Sequence, residues 1–147
     1  MKLVTFEING RSAVGLLNAD ATAVHPVPGC ADMQTLIGLW PALDTAAVLR
    51  SAALPLEQVR LLAPIPRPEQ DVICLGINYM AHSDEAEKYS AAAFATKHED
   101  AIYFSKRVTR AVPDGGPIEA HTDLVKKLDY ECELAVVLGR DAKDVPA

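Results

Sequence analysis

Aromatic side chains make up only 5% of this 147-residue chain, too few for the stacking surfaces that hold single-stranded nucleic acid. Positive charge is scarce as well. Against 20 Asp and Glu stand 14 Lys and Arg, a net charge of −6, and no basic tract breaks the acidic balance. Such a chain repels phosphate backbones and anionic lipid, so neither nucleic acid nor membrane is an expected partner. No apolar run approaches the about 18 residues that a membrane-spanning helix needs. The opening Met1-Lys2-Leu3-Val4-Thr5-Phe6-Glu7 alternates and meets charge at once, which does not read as a signal peptide. Cysteine is sparse: Cys30, Cys74 and Cys132 are widely spaced, without a Cys-x-x-Cys pair. That usage is expected of reduced thiols in a cytoplasmic protein. Phosphate-cradling loops, zinc-ligand spacings, serine nucleophile elbows and internal repeats are all missing.

What is present is a globular composition, 50% hydrophobic and 23% charged, in a chain long enough to bury a real core. Lys2 to Ile8 reads as a strand, Asn9-Gly10 as a hairpin turn, and Arg11 to Leu17 as the partner strand. Ala21 to Val27 is expected to be a third strand. Met33, Leu36, Ile37 and Trp40 then fall at helical spacing, and Pro41 interrupts before a second helix over about Ala42 to Ala53. Val59 to Leu62 returns to strand character. The proline-rich Ala63-Pro64-Ile65-Pro66-Arg67-Pro68 is a stiff extended strap, since each proline fixes its own φ and biases its predecessor. A boundary placed there gives a small N-terminal α/β domain over residues 1–63 and a second domain over residues 64–147. In the second, Val72 to Leu75 reads as a strand buried on both faces, and a helix is expected over about Tyr79 to Phe94. Ala101 to Phe104 reads as a strand, and Pro113-Asp114-Gly115-Gly116 as a turn. The chain stops at Ala147 on a polar stretch with no element capping the last strand, an ending expected of a second domain cut partway.

Two segments carry candidate chemistry. On a strand from Leu128 to Leu138, one face would hold Leu128, Tyr130, Cys132, Leu134, Val136 and Leu138. The other would hold Asp129, Glu131 and Glu133, followed by Ala135 and Val137. Three like charges on one face repel and need water or a cation. A solvated outer face is the plain reading, and high exposure of Glu131 and Glu133 would be its mark. The apolar continuation at Ala135 and Val137 points instead to a covered face. There, unpaired carboxylates either rise in pKa or recruit a cation, and oxygen ligands of this kind suit a hard ion such as Mg²⁺, Mn²⁺ or Ca²⁺. The second segment runs from Gly76 to Glu85, straight after the buried strand. If it is helical, His82 and Glu85 share a face, as a general base with its orienting carboxylate or as an ordinary surface pair. His25, His98 and His121 read as structural or solvated.

Taken in order, these segments resemble the fumarylacetoacetate hydrolase family. The likeness lies in Leu61 to Pro68, in Cys74-Leu75-Gly76-Ile77-Asn78-Tyr79 with His82 and Glu85, in Lys106, and in Leu128 to Arg140. The resemblance implies an α+β protein, with a small N-terminal domain followed by the first part of a mixed β-roll catalytic domain. It implies that Glu131 and Glu133 are two of three carboxylate ligands to Mg²⁺ or a similar ion. It makes His82 and Glu85 a proton-transfer dyad, and it sets Lys106, Asn78 and Tyr79 beside the substrate. Family members act on 2-oxo acids and β-diketo acids by C–C hydrolysis, decarboxylation, hydration or keto–enol isomerisation, and the resemblance suggests a homodimer. The family's third ligand, a later aspartate, has no counterpart, and Asp141 and Asp144 lie too close to Glu133 to replace it. The expectation is therefore half a site. The remainder would come from a separate chain, or this chain is a catalytically incomplete structural half of a cleaved or heteromeric assembly. A plain acidic binding module is the third reading.

Overall fold

Asn9 and Gly10 both take positive φ, 51° and 73°. That is the geometry of the two-residue turn whose twist matches the flanking strands. It joins β1 (Lys2–Ile8) to β2 (Arg11–Leu17) in continuous antiparallel register, from Lys2 opposite Leu17 to Ile8 opposite Arg11. The computed structural model describes residues 1–76 and 101–146. They divide into two compact units, Met1–Pro66 with Ala111–Ala147 and Arg67–Arg110.

In the first unit a five-stranded sheet has the order β4-β3-β2-β1-β5, with β3 at Ala23–Pro26, β4 at Leu54–Pro55 and β5 at Arg60–Leu61. β3 is shorter than the expected Ala21–Val27. The Asn18 carboxamide accepts hydrogen bonds from the Thr22 and Ala23 amides at 2.9 Å each, and Ala21 sits at φ 56°, so the turn consumes the strand's first residues. α1 (Met33–Leu39) begins where Asp32 accepts the Thr35 amide at 2.8 Å. It passes into a 3₁₀ turn at Trp40–Ala42, where Pro41 has no amide proton to continue the ladder. The second helix, α2, spans only Thr45–Leu49, not Ala42–Ala53. Leu43 is extended, and Asp44 restarts the helix as a cap by accepting the Ala47 amide at 2.9 Å. The two-residue strand β4 carried no readable alternation and was not expected.

Because strand side chains alternate, the sheet buries two faces. Val14, Leu16 and Val27 meet Met33 and Leu36 of α1 and Val48 of α2 on one side. Phe6, Leu17 and Val24 pack with Leu54, Leu56, Val59 and Leu61 on the other. The proline strap is tied down at its start. Ala63 is buried, the Leu62 amide donates to Thr5 O, and the buried Thr5 hydroxyl donates to the Pro64 carbonyl. His25 is buried with its Nδ1 3.1 Å from the Ser51 carbonyl, a structural role as expected. At the Pro113–Gly116 turn the Gly116 amide donates to Pro113 O at 2.9 Å, with Gly115 at φ 64°. Among the described residues, no helix is long and apolar enough to cross a membrane.

Candidate functional site

The second unit is built on an antiparallel pair, β6 (Val72–Gly76) and β7 (Ile102–Lys106). The register sets Val72 opposite Lys106, Cys74 opposite Phe104 and Gly76 opposite Ile102. Directly opposed residues and alternate residues share a face. One face of the pair therefore carries Cys74, Phe104 and Lys106, and the other carries Ile73, Leu75, Tyr103 and Ser105. Burial on both faces of β6 is not what the structure shows. Cys74 is buried, but Ile73 is 65% exposed and Val72 and Leu75 are exposed too. The physical reason is that a two-stranded ribbon has no covering layer of its own. A run of Val, Ile and Leu states that a strand wants cover on both faces but does not supply it.

Lys106 ends β7 with an exposed side chain. Its Nζ lies 5.7 Å from the centre of the Phe104 ring, within cation–π range. Phe104 was absent from the expected site. The readable signal was an aromatic two residues before the lysine, on the same strand face. Asn78, Tyr79, His82 and Glu85, with the helix expected over residues 79–94, lie outside the described residues.

Glu131 and Glu133 belong to the first unit, whereas Lys106 belongs to the second. Among the described residues Leu128–Leu138 forms no strand and has no ladder partner, and all of it is exposed. Alternation specifies what each face of a strand would be, but a strand exists only through a neighbour that takes its amides and carbonyls. Among the described residues none does so. Both glutamates are exposed, the mark set above for a solvated acidic face. Yet Tyr130 and Leu134, which a solvated-face strand would hold in its dry side, are 89% and 81% exposed. The exposure belongs to the whole segment and does not single out its acids. Paired carboxylates two residues apart suit a hard divalent ion in donor type. In number they fall short, since among the described residues no group of three or more His, Cys, Asp or Glu is placed to hold a metal. Asp129 accepts the Tyr130 amide through Oδ1 at 2.9 Å. His121 is exposed, with Nδ1 3.8 Å from Glu119.

Residues 71–147 match the family pattern described as fumarylacetoacetate (FAA) hydrolase C-terminal. The chain is 36% identical over 85 residues to the oxaloacetate tautomerase YisK of Bacillus subtilis, covering 58% of this chain and 27% of that protein. It is 35% identical over 111 residues to the mitochondrial oxaloacetate tautomerase Fahd2a of Rattus norvegicus, covering 72% of this chain and 32% of the relative. A solved fumarylacetoacetate hydrolase from the psychrophile Exiguobacterium antarcticum superposes with a TM-score of 0.61 at 31% identity, over 89% of this chain and 44% of that one. The chain thus spans well under two thirds of the length of each of these relatives.

Proposed function

Because this chain belongs to the fumarylacetoacetate hydrolase family, we propose that it works in a divalent-metal-dependent enzyme acting on 2-oxo or β-diketo acids. Keto–enol isomerisation of oxaloacetate is the favoured reaction. The observation that carries the reading is the family match across residues 71–147, which spans every residue proposed for the site. The description of two relatives as oxaloacetate tautomerases supports the choice of reaction.

In this reading His82 takes the proton from the carbon beside the ketone and delivers it to the ketone oxygen; in the reverse direction it takes the proton from the enol hydroxyl and delivers it to that carbon. An imidazole is suited to both transfers near neutral pH. Glu85 orients that imidazole. The Lys106 ammonium pairs with a substrate carboxylate, and Asn78 and Tyr79 help to seat the substrate. Glu131 and Glu133 would be two of the ligands of Mg²⁺, Mn²⁺ or Ca²⁺. When bound, the ion supplies Lewis acidity to the oxygens of a 2-oxo acid. A homodimer in the cytoplasm completes the proposal; the free thiols of Cys30, Cys74 and Cys132 bear on the compartment alone.

The second reading, a catalytically incomplete structural half of a larger assembly, draws support from one observation. Glu131 and Glu133 have no third ligand grouped with them among the described residues. One experiment separates the two. Mg²⁺ is titrated calorimetrically into the purified chain, and oxaloacetate tautomerisation is followed by enol absorbance. Metal-dependent turnover that Glu131→Gln abolishes supports the enzyme. Turnover and Mg²⁺ affinity both unchanged in E131Q refute the metal role. Weak Mg²⁺ binding without turnover, restored by adding the remainder of the assembly, establishes the structural half.

A further inference from the structure

The β6–β7 register gives the hairpin two distinct ends. At one, Gly76 opposes Ile102 and the chain leaves toward residue 77; at the other, Val72 opposes Lys106. Four residue steps of about 3.3 Å separate these ends, roughly 13 Å along the strand. The Lys106 backbone is therefore at the far end from Gly76. Its ammonium is not so far away, because Nζ lies over the ring of Phe104, which opposes Cys74 and stands nearer Gly76.

We propose that Phe104 is a positioning residue for Lys106, its ring holding the ammonium along β7 in the orientation that receives a substrate carboxylate. The inference rests on the substrate-binding role given to Lys106 above and adds the group that aims it. Lysine is a compact charge on a flexible four-carbon stem, so an exposed one samples many rotamers and spends little time in any single direction. A carboxylate neighbour would aim it but would also neutralise it. A ring face aims it and leaves the charge intact, since the attraction is to the quadrupole and the outer hemisphere of the ammonium stays open. Cys74, buried on the same face, keeps the ring's cross-strand neighbour small and apolar, so among the described residues that neighbour does not compete for the cation.

The test uses the full chain with Mg²⁺, ¹³C-labelled lysine and oxaloacetate as the probe. In the unsubstituted protein the Lys106 ε-methylene, assigned by its loss in Lys106→Gln, is shifted upfield by the ring. Phe104→Leu removes that shift and Phe104→Tyr keeps it. F104L raises the KM for oxaloacetate about two- to fivefold, the scale of an exposed cation–π contact, with kcat unchanged, and F104Y restores it. In the K106Q background F104L adds no further loss. Equal losses from F104L in both backgrounds overturn the proposal, as does an ε-methylene that shows no upfield shift before any substitution. If K106Q leaves KM unchanged while the shift is present, the substrate role of Lys106 is refuted, and the role of Phe104 falls with it. If the unsubstituted chain neither binds nor turns over oxaloacetate even with the remainder of the assembly added, the proposed function itself is overturned.

Discussion

Alanine at Gly15 and alanine at Gly38 should move the stability of the N-terminal sheet in opposite directions. Gly15 lies in β2 between the buried Val14 and Leu16, opposite Pro26 of β3. A Cβ there would sit 2.6 Å from Val24 Cγ2 and 2.7 Å from the His25 carbonyl oxygen, about 0.7 Å short of ordinary contact at 3.4 Å. The methyl of Val24 could rotate, but the carbonyl belongs to a strand paired on both sides, by β2 and by β4. Relief requires β3 to move and its ladder to stretch. Overpacking of this kind costs on the order of 1–3 kcal/mol. Against it stands the loss of unfolded-state freedom when Gly becomes Ala, worth about 0.4–1 kcal/mol. The net expectation is a destabilisation of about 1–2 kcal/mol. Gly38 lies inside α1 with nothing within 4 Å of its added Cβ, so only the favourable terms remain. Alanine there should stabilise by about 0.5–1 kcal/mol. The chain's one tryptophan, Trp40, follows α1 directly, so its fluorescence reports unfolding of this unit in urea. With an m value of about 2 kcal/mol/M, G15A should lower the midpoint by roughly 0.5–1 M at constant m. A G15A midpoint at or above that of the unsubstituted chain would refute the close-approach argument, as would both alanines shifting stability in the same direction.

Asp32 offers a pH test. The backbone hydrogen bond from Thr35, chiefly, holds its carboxyl below the ordinary 3.8, with the side-chain hydrogen bond to Thr35 adding to the effect. A lowered folded-state value means that the stabilisation is present above 3.8 and is lost as pH falls through the lower value. Asp32→Ala should cost about 1 kcal/mol at neutral pH and flatten the acid limb of a stability profile, whereas Asp32→Asn keeps the cap and loses only the pH dependence. An unchanged acid limb in D32N would exclude Asp32 as its source. Cys30 gives a third test. Burial, the largest cause, pushes its thiol above 9.0; the hydrogen bond to the Asp32 backbone opposes this, and the Asp32 charge adds a smaller upward push. Alkylation at a pH of about 8 should modify the exposed Cys132 first and leave Cys30 and the buried Cys74 lagging. Peptide mapping that finds Cys30 labelled as fast as Cys132 would count against it.

Legibility in the sequence followed the range of the interactions involved. The β1–β2 hairpin could be read because its causes are local: Asn9-Gly10 carries the positive φ and the alternation on either side carries the register. The start of α1 and its interruption at Pro41 are local for the same reason. Asp44 is local too, yet the cut it makes in the second helix was hidden by the alanines around it, which suit a longer helix equally well. β4, two residues long and unread, exists only because β3 offers it an edge, whereas β5 fell within the strand read over Val59 to Leu62. The candidate site divides in the same way. An ordered series of short motifs was enough to reach the family, since each motif is a run of adjacent residues. That Lys106 lies over Phe104 could be placed on a strand face from spacing, but the rotamer that brings them together is decided by the folded strand.

What the amino acids determined unaided was therefore the set of short-range commitments: which residues turn, cap, alternate and carry acids in pairs. Whether an alternating stretch becomes a strand was decided elsewhere. β6 is a strand because β7 takes its hydrogen bonds, while Leu128–Leu138, with the more regular alternation, is not one among the described residues. Side-chain periodicity is a property of one segment, but backbone pairing and burial are properties of two, and only the tertiary arrangement brings the second into place.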